Sequence, residues 1–335
     1  WEDKFRKAGF RLVSVWDCQK NSRNPLVKWQ NRCVRKKIVR SLENGGEGLL
    51  KLCLNEPFDI IVSYNGTTLQ NMCFDGKAKT VKYIHGDLAT NAEFRKNTMN
   101  ILDIVRKFDR IICVSNTAQQ SFEKLTGIAG NVGFHYNPLN SKNVLALAQR
   151  DVPVKCDMPY VCAVGRLSKE KGFERLIRIQ KNLMDSGLEH KLVIVGEGPE
   201  RPQLEQTIRE LQLGASVILA GYQANPYPFI KRSRLLVCSS YSEGLGLVAM
   251  EAILLGIPVV ASVPTVGEIF GDEICGLITE SDDASLEAGI RRMLVDREFY
   301  QQAKQAAERR SAFFDGKRMV KEVEDEFISL INQRK

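Results

Sequence analysis

Short apolar, β-branched runs alternate with amphipathic helical stretches along almost the whole chain, and this alternation narrows the possible folds more than any other feature. Strand-like runs fall at Phe10–Val15, Asp59–Ser63, Thr80–Ile84 and Arg110–Val114. They resume at Tyr160–Val164, Lys191–Val195, Ser216–Ala220, Leu235–Ser239 and Pro258–Ser262, with helical patterns such as Lys171–Ser186, Glu200–Leu211 and Leu247–Leu255 between them. Strands spaced by helices build βαβ units and parallel sheets, an α/β fold. At 335 residues the chain is too long for one ordinary core and suits two such domains. Asn137–Pro138 and the polar stretch Asn140–Pro153 interrupt regular structure. The expected division is therefore 1–150 and 151–335, with the last helix placed to return to the N-terminal domain.

Hydrophobic content of 44% with 26% charged residues fits a globular chain. No apolar run approaches the roughly 20 residues of a membrane-spanning helix, and Trp1–Lys7 does not read as a secretory signal. Glu2–Ala8, Gly9 and the Phe10–Val15 run read as the end of a first helix entering a second strand. A strand and a glycine turn are thus expected ahead of Trp1. The nine cysteines show no C-x-x-C pair, and Cys113, Cys162 and Cys238 sit in strand runs as small core hydrophobes. That usage suits a reducing cytoplasm rather than a disulfide scaffold or a zinc site.

Charge is uneven. Residues 1–150 hold 24 Lys and Arg against 13 Asp and Glu, a surplus of 11, whereas residues 151–335 hold 24 against 27. A basic first half invites an anionic partner, although a solvated basic surface explains it equally well. Within it, Leu26–Arg40 places Lys28, Arg32, Arg35, Lys36, Lys37 and Arg40 on one helical stretch with Leu26, Trp29, Cys33 and Ile38. Such a segment can lie on an anionic membrane, or be an ordinary surface helix.

Four patterns in the second half carry the chemistry. In the first, a strand ends at Gly165 and is followed by Arg166, Ser168, Lys171 and Gly172, setting cations beside the amides of a helix start, as a diphosphate requires. The second, Gly196-Glu197-Gly198-Pro199, reads mostly as turn chemistry, with Pro199 suited to a first helical position. In the third, Tyr222 and Gln223 follow a strand, where an aromatic can stack on a base or simply pack at the surface. The fourth is the richest. Cys238 to Val260 passes from strand through a polar loop with Glu243, Gly244 and Gly246 to a helix near Leu247, which Gly256 and Pro258 stop. Glu251, on that helix's second turn, is surrounded by apolar residues, where an unpartnered carboxylate is costly.

These residues, in this order, resemble the retaining glycosyltransferases of family 4, which have the GT-B fold of two Rossmann-like domains facing across a cleft. Glu243 and Glu251 match the family's Glu–seven residues–Glu signature, and Gly165, Arg166, Lys171 and Gly172 its Gly-Arg…Lys-Gly segment. Ala261-Ser262, Gly267-Glu268-Ile269 and Gly276-Leu277 also follow its pattern. The resemblance runs from about Val161 to Thr279 and covers the N-terminal half only thinly.

What the resemblance implies is a hexosyltransferase that moves a sugar from a nucleotide diphosphate sugar, UDP-sugar favoured. The acceptor would be a glycan, lipid-linked or other polyanionic molecule in cell-surface polysaccharide or glycoconjugate synthesis. Arg166 and Lys171 would hold the diphosphate and offset charge on the leaving nucleotide. Glu243, with the amides of Gly244, Leu245, Gly246 and Leu247, would contact the transferred sugar; Glu251 would bind the ribose, and Tyr222 and Gln223 would border the base. In His85-Gly86-Asp87, His85 corresponds to a histidine that faces the donor sugar. Asn65-Gly66-Thr67 could line the acceptor cleft or form a simple turn. Side-chain cations and the absence of a D-x-D triplet lead us to expect no essential metal, and no cofactor beyond the donor. Retention by same-face attack and by a covalent intermediate both remain open. A cytoplasmic location at the inner membrane face, with peripheral contact to anionic lipid and no nucleic-acid partner, completes the expectation. Its competitors are an epimerase or phosphorylase of the same fold, and a non-catalytic partner subunit.

Overall fold

Near-continuous apolar runs such as Tyr-Val-Cys-Ala-Val and Lys-Leu-Val-Ile-Val become strands buried on both faces, as parallel sheets covered by helices demand. The computed structural model describes Cys33, Lys36, Leu102 and residues 59–64, 78–86, 105–152 and 158–333. The readings at Phe10–Val15, Asn65–Thr67 and Asp87 lie outside the described residues. So does Leu26–Arg40, apart from Cys33 and Lys36, both of which are helical.

The first sheet holds β1 (Ile60–Ser63), β2 (Lys79–Ile84), β3 (Arg110–Cys113) and β4 (Val132–Phe134), in that order and all parallel. Helix α1 (Asn116–Thr126) follows β3. Its N-cap Ser115 accepts a bond from the Ala118 amide, and Gly127 closes it. Helix α2 (Ser141–Leu147) lies within the Asn140–Pro153 stretch that the sequence reading left as a polar connection. Its Val144 joins the second domain's core, and the Leu147 carbonyl accepts from Asn225. α2 is amphipathic over too few residues to stand out by periodicity.

The second sheet is built from β5 (Tyr160–Val164), α3 (Phe173–Asp185), β6 (Lys191–Val195), α4 (Arg201–Glu210), β7 (Val217–Leu219), α5 (Tyr227–Arg232), β8 (Leu235–Cys238), α6 (Leu247–Leu254), β9 (Val259–Ala261), α7 (Gly267–Phe270) and β10 (Gly276–Ile278). Three helices finish the chain: α8 (Asp283–Val295), α9 (Arg297–Ser311) and α10 (Gly316–Asn332), with N-caps Asp282, Asp296 and Asp315. Two local details differ from the sequence reading. Lys169–Lys171 is a separate 3-10 turn, so α3 starts at Phe173. Pro199 lies in a turn and α4 starts at Arg201, so the proline in the first helical turn is Pro202.

Strand order in this sheet is β10-β9-β8-β5-β6-β7. The chain begins in the middle, grows to one edge through β6 and β7, then returns to grow to the other through β8, β9 and β10. The reversal lies between β5 and β8, and in open α/β sheets the crevice beyond the strand carboxyl ends at such a point is where ligands bind. Side chains alternate across the sheet. Val161, Ala163, Leu192 and Ile194 pack with Leu176, Ile177, Leu204 and Ile290 of α3, α4 and α8. Cys162, Val193 and Leu236 face Phe229, Met250, Ile253 and Ala307 of α5, α6 and α9. Cys113, Cys162 and Cys275 are buried.

The last helix, α10, crosses to the first sheet. Phe327 and Leu330 pack on Val81, Tyr83 and Ile112, and Glu326 takes both Arg110 and His135 as ion-pair partners. Arg110 and His135 hold its carboxylate below the usual range despite burial.

Candidate active site

The loops that follow β5 and β8 meet at the reversal point of the second sheet. Gly165 follows β5 and donates to the Val195 carbonyl. Six residues on, the Lys171 ammonium lies 2.6 Å from Glu243 Oε1, and the hydroxyl of Ser240 donates to the same oxygen at 2.6 Å. Gly172 must lack a side chain here. Its φ is +63°, and a Cβ would lie 2.2 Å from the Ser239 carbonyl. The close approach brings the two loops into register.

Arg166 is not drawn into this pair. Its side chain is 72% exposed and its guanidinium bonds Glu170 one turn on, at 2.7 Å. An exposed pair of that kind exchanges cheaply for another anion, so Arg166 can reach a phosphate without leaving a buried charge behind.

Gly246 precedes α6, and Leu247 opens it at the same crevice. The first amides of a helix have no partner within it, so its N-terminus favours an anion. Leu245 is only 3% exposed, its side chain in the core, so only its backbone can meet a ligand. On the second turn, Glu251 Oε1 accepts from the Tyr227 hydroxyl at 3.3 Å. Burial pushes the Glu251 carboxyl up to about 7, against the counter-pull of that bond. Tyr222, three residues beyond β7, is largely exposed, and Gln223 donates its side-chain amide to the Ala220 carbonyl.

The first domain closes over this loop. Gly244 again must be glycine, because a Cβ there would stand 2.0 Å from the His85 carbonyl oxygen. Ser115 Oγ donates to the Gly244 carbonyl at 3.2 Å. Glu268 of α7 completes the contact by accepting from the Asn116 amide at 2.6 Å and from the Thr117 amide and hydroxyl, each at 2.8 Å. A carboxylate of one domain thus caps a helix of the other, where the helix dipole favours negative charge.

His85 follows β2 at the rim of the cleft. Its ring lies against Tyr64, with centroids 4.3 Å apart, and against Tyr83. Desolvation, assisted by Lys82, lowers its pKa below the ordinary value although a backbone bond to Tyr64 opposes the shift. The ring is therefore neutral near pH 7. Nε2 is buried without a hydrogen-bond partner, so the bond to the Tyr64 carbonyl uses Nδ1–H. Nε2 is then left as a buried acceptor without a partner.

All four sequence patterns thus end on the carboxyl side of the second sheet, and His85 approaches from the other domain. The sequence reading did not single out Ser115, Arg175, Tyr227, Ser240 or Glu268 as site residues. Arg175 left one readable signal, a charged residue one turn before Ile179 on the buried face of an amphipathic helix. Among the described residues, no group of three or more His, Cys, Asp or Glu is placed to hold a metal, and no helix is long and apolar enough to cross a membrane.

Residues 148–310 match the family described as glycosyl transferases group 1. Over 320 residues the chain is 28% identical to the N-acetylgalactosamine-N,N'-diacetylbacillosaminyl-diphospho-undecaprenol 4-alpha-N-acetylgalactosaminyltransferase of Campylobacter jejuni, covering 90% of this chain and 82% of that one. It is 36% identical over 152 residues to the lipopolysaccharide core biosynthesis glycosyltransferase LpsD of Rhizobium meliloti, covering 45% of this chain but only 43% of the relative. Among solved structures, Anabaena HepE in complex with UDP superimposes with a TM-score of 0.69 at 20% identity, over 91% of this chain and 84% of that one. The sucrose-phosphate synthase of Thermosynechococcus elongatus gives 0.72 at 19%, over 94% and 81%. The fold is the two-sheet α/β architecture of the GT-B glycosyltransferases.

Proposed function

We propose that this chain is a retaining glycosyltransferase that transfers a sugar from a nucleoside diphosphate sugar, UDP-sugar favoured, to a glycan or lipid-linked acceptor. The observation that carries this reading is the Lys171–Glu243 pair at the sheet's reversal point, next to Gly244, whose Cα lies against the His85 carbonyl of the other domain. A cation suited to a diphosphate and a carboxylate suited to a sugar thus stand together, beside the backbone of His85.

In this reading Arg166, Lys171 and the α6 N-terminus take up the negative charge that develops on the leaving diphosphate. Such electrostatic stabilisation acts where charge appears in the transition state. Glu243 holds the transferred sugar and supports positive charge at its anomeric carbon. Glu251 accepts from ribose hydroxyls, the base lies near Tyr222 and Gln223, and Nε2 of His85 accepts from a hydroxyl of the donor sugar. The side chains supply the cations, so the reaction needs no essential metal. The name of the Campylobacter relative, a transferase acting on a diphospho-undecaprenol substrate, supports a lipid-linked acceptor. With the basic first half, it also supports peripheral contact with anionic lipid at the cytoplasmic face.

The test is donor turnover across a panel of UDP-, GDP- and ADP-sugars with a lipid-linked oligosaccharide fraction as acceptor. We expect acceptor-dependent release of the nucleoside diphosphate, a product anomer matching the donor's, and full activity in EDTA. Conversion of donor alone into a different nucleotide sugar would replace this reading with an epimerase. Activity lost in EDTA and restored by Mg²⁺ would remove the roles given to Arg166 and Lys171. Flotation with vesicles addresses the membrane: equal, salt-insensitive recovery with neutral and anionic lipid would exclude an electrostatic contact.

A further inference from the structure

Arg175, on the first turn of α3, is 3% exposed, yet its nearest carboxylate, Asp283, stands 3.8 Å away and is itself largely in solvent. The guanidinium is satisfied instead by backbone and hydroxyl oxygens. Nε donates to the Ser239 carbonyl at 2.9 Å, Nη2 to the Ser240 carbonyl at 3.1 Å and to Ser262 Oγ, and Nη1 to the Ser281 carbonyl at 2.7 Å. The Tyr241 ring covers it, with the guanidinium carbon 4.3 Å from the ring centroid. One side chain therefore gathers the segments beyond the carboxyl ends of β8, β9 and β10.

The bonds continue into the site and close on themselves. Arg175 holds the Ser240 carbonyl, while the Ser240 hydroxyl donates to Glu243 Oε1 at 2.6 Å. Glu243 pairs with Lys171 at 2.6 Å. The Lys171 carbonyl accepts from Ser239 Oγ at 2.9 Å, and the Ser239 carbonyl returns to Arg175. Five residues form one cycle, and the two that face the cleft, Lys171 and Glu243, are held relative to each other by the three that do not. A planar fork of several donors spread over three nitrogens spans carbonyls from separate strand ends at once. A lysine ammonium carries its three donors on one nitrogen and does not span the same distance.

We propose that Arg175 is the positioning residue of this site. By closing the cycle it fixes the Glu243 carboxylate against Lys171, and thereby the place of the transferred sugar relative to the diphosphate. The role in turnover rests on the glycosyltransferase reading; the effect on the loop does not. Arg175 touches no substrate itself, so its loss should act on the step that needs correct geometry rather than on nucleotide affinity.

The experiment compares Arg175→Lys and the milder Ser262→Ala with the parent. Amide hydrogen exchange across 239–247 is read first, without any sugar, and kcat and UDP affinity are read on the donor found active. We expect faster exchange in that segment for both variants, more so for Arg175→Lys. Arg175→Lys should lower kcat by roughly ten- to a hundred-fold, the value of one charge-assisted bond, with UDP affinity within about threefold. Adding Arg175→Lys to Glu243→Gln should cost at most about twofold more, because both act through one carboxylate. A purely structural role would lower Tm and leave the kcat of folded enzyme and the exchange of 239–247 unchanged, which would overturn the proposal. So would additive losses in the double variant. If Arg175→Lys does not fold, unchanged exchange in Ser262→Ala has the same force. A parent that turns over no donor but shows the exchange effect in its variants would sink the functional reading and leave the loop clamp standing.

Discussion

Replacing Glu251 by glutamine should make the protein more stable at pH 8 and weaken its grip on a nucleotide. Burial raises the carboxyl from 4.5 to about 7, and the Tyr227 hydroxyl, itself shifted to about 12, does not titrate in this range. Between those two values the folded chain holds more protons at this position than the unfolded chain. The corresponding stability is fully present below about pH 4.5, declines as pH rises, and is gone above about 7. A shift of this size corresponds to about 3 kcal/mol at 1.36 kcal/mol per unit. Glutamine keeps an oxygen for Tyr227 and carries no charge to desolvate. Glu251→Gln should therefore lie within about 1 kcal/mol of the parent near pH 5 and exceed it at pH 8 by up to about 3 kcal/mol, roughly 6–12 °C in Tm for a domain of this size. Thermal unfolding of both proteins at pH 5, 6, 7 and 8 reads this directly. UDP calorimetry reads the other half: in the proposed reading ribose hydroxyls donate to the carboxylate, so parent affinity should rise from pH 6 to 8 more steeply than that of Glu251→Gln, whose pH dependence then comes from the nucleotide's own phosphate. A stability difference independent of pH would refute the argument, since it would mean that Glu251 does not titrate in this interval.

Glu243→Gln should lower kcat by roughly ten- to a hundred-fold. It should also bind UDP about two- to fivefold more tightly, because Lys171 loses its anionic partner; weaker binding in calorimetry would mean that the pair organises the lysine for phosphate. Gly244→Ala places a Cβ against the His85 carbonyl and must push the domains apart. Steady-state kinetics should show kcat falling at least about tenfold with UDP affinity within about twofold, and unchanged kcat would disprove closure at this point. Glu268→Ala removes three bonds to the start of α1. It should destabilise the chain by on the order of 1–2 kcal/mol in denaturant unfolding, the range of a lost helix cap, with Glu268→Gln intermediate; equal midpoints would show the contact to be worth nothing.

Much of the architecture follows from local pattern. Tyr160–Val164 and Lys191–Val195 are strands with the bounds that the apolar runs suggest, and Leu247 opens its helix where glycines and a polar loop end. These elements are legible because burial on two faces, glycine conformation and helix termination are decided within a few residues. Val132–Phe134 and Ser141–Leu147 escaped notice because three strand residues and two helical turns are too short to show a period. The pairing of sites is another matter. The reversal between β5 and β8 exists only in the strand order, and it is this reversal that sets Lys171 beside Glu243, 72 positions apart. Arg175 shows in sequence only as a charge within an amphipathic helix, Glu268 as part of a motif, and Tyr227 as nothing in particular. Their roles arise from hydrogen bonds to residues 24 to 152 positions away. Composition and periodicity report how each segment meets its own neighbours. Which distant oxygen satisfies a buried guanidinium, and which helix a carboxylate caps, is fixed only when the sheets have formed and each buried polar group must find a partner among whatever the fold has brought near.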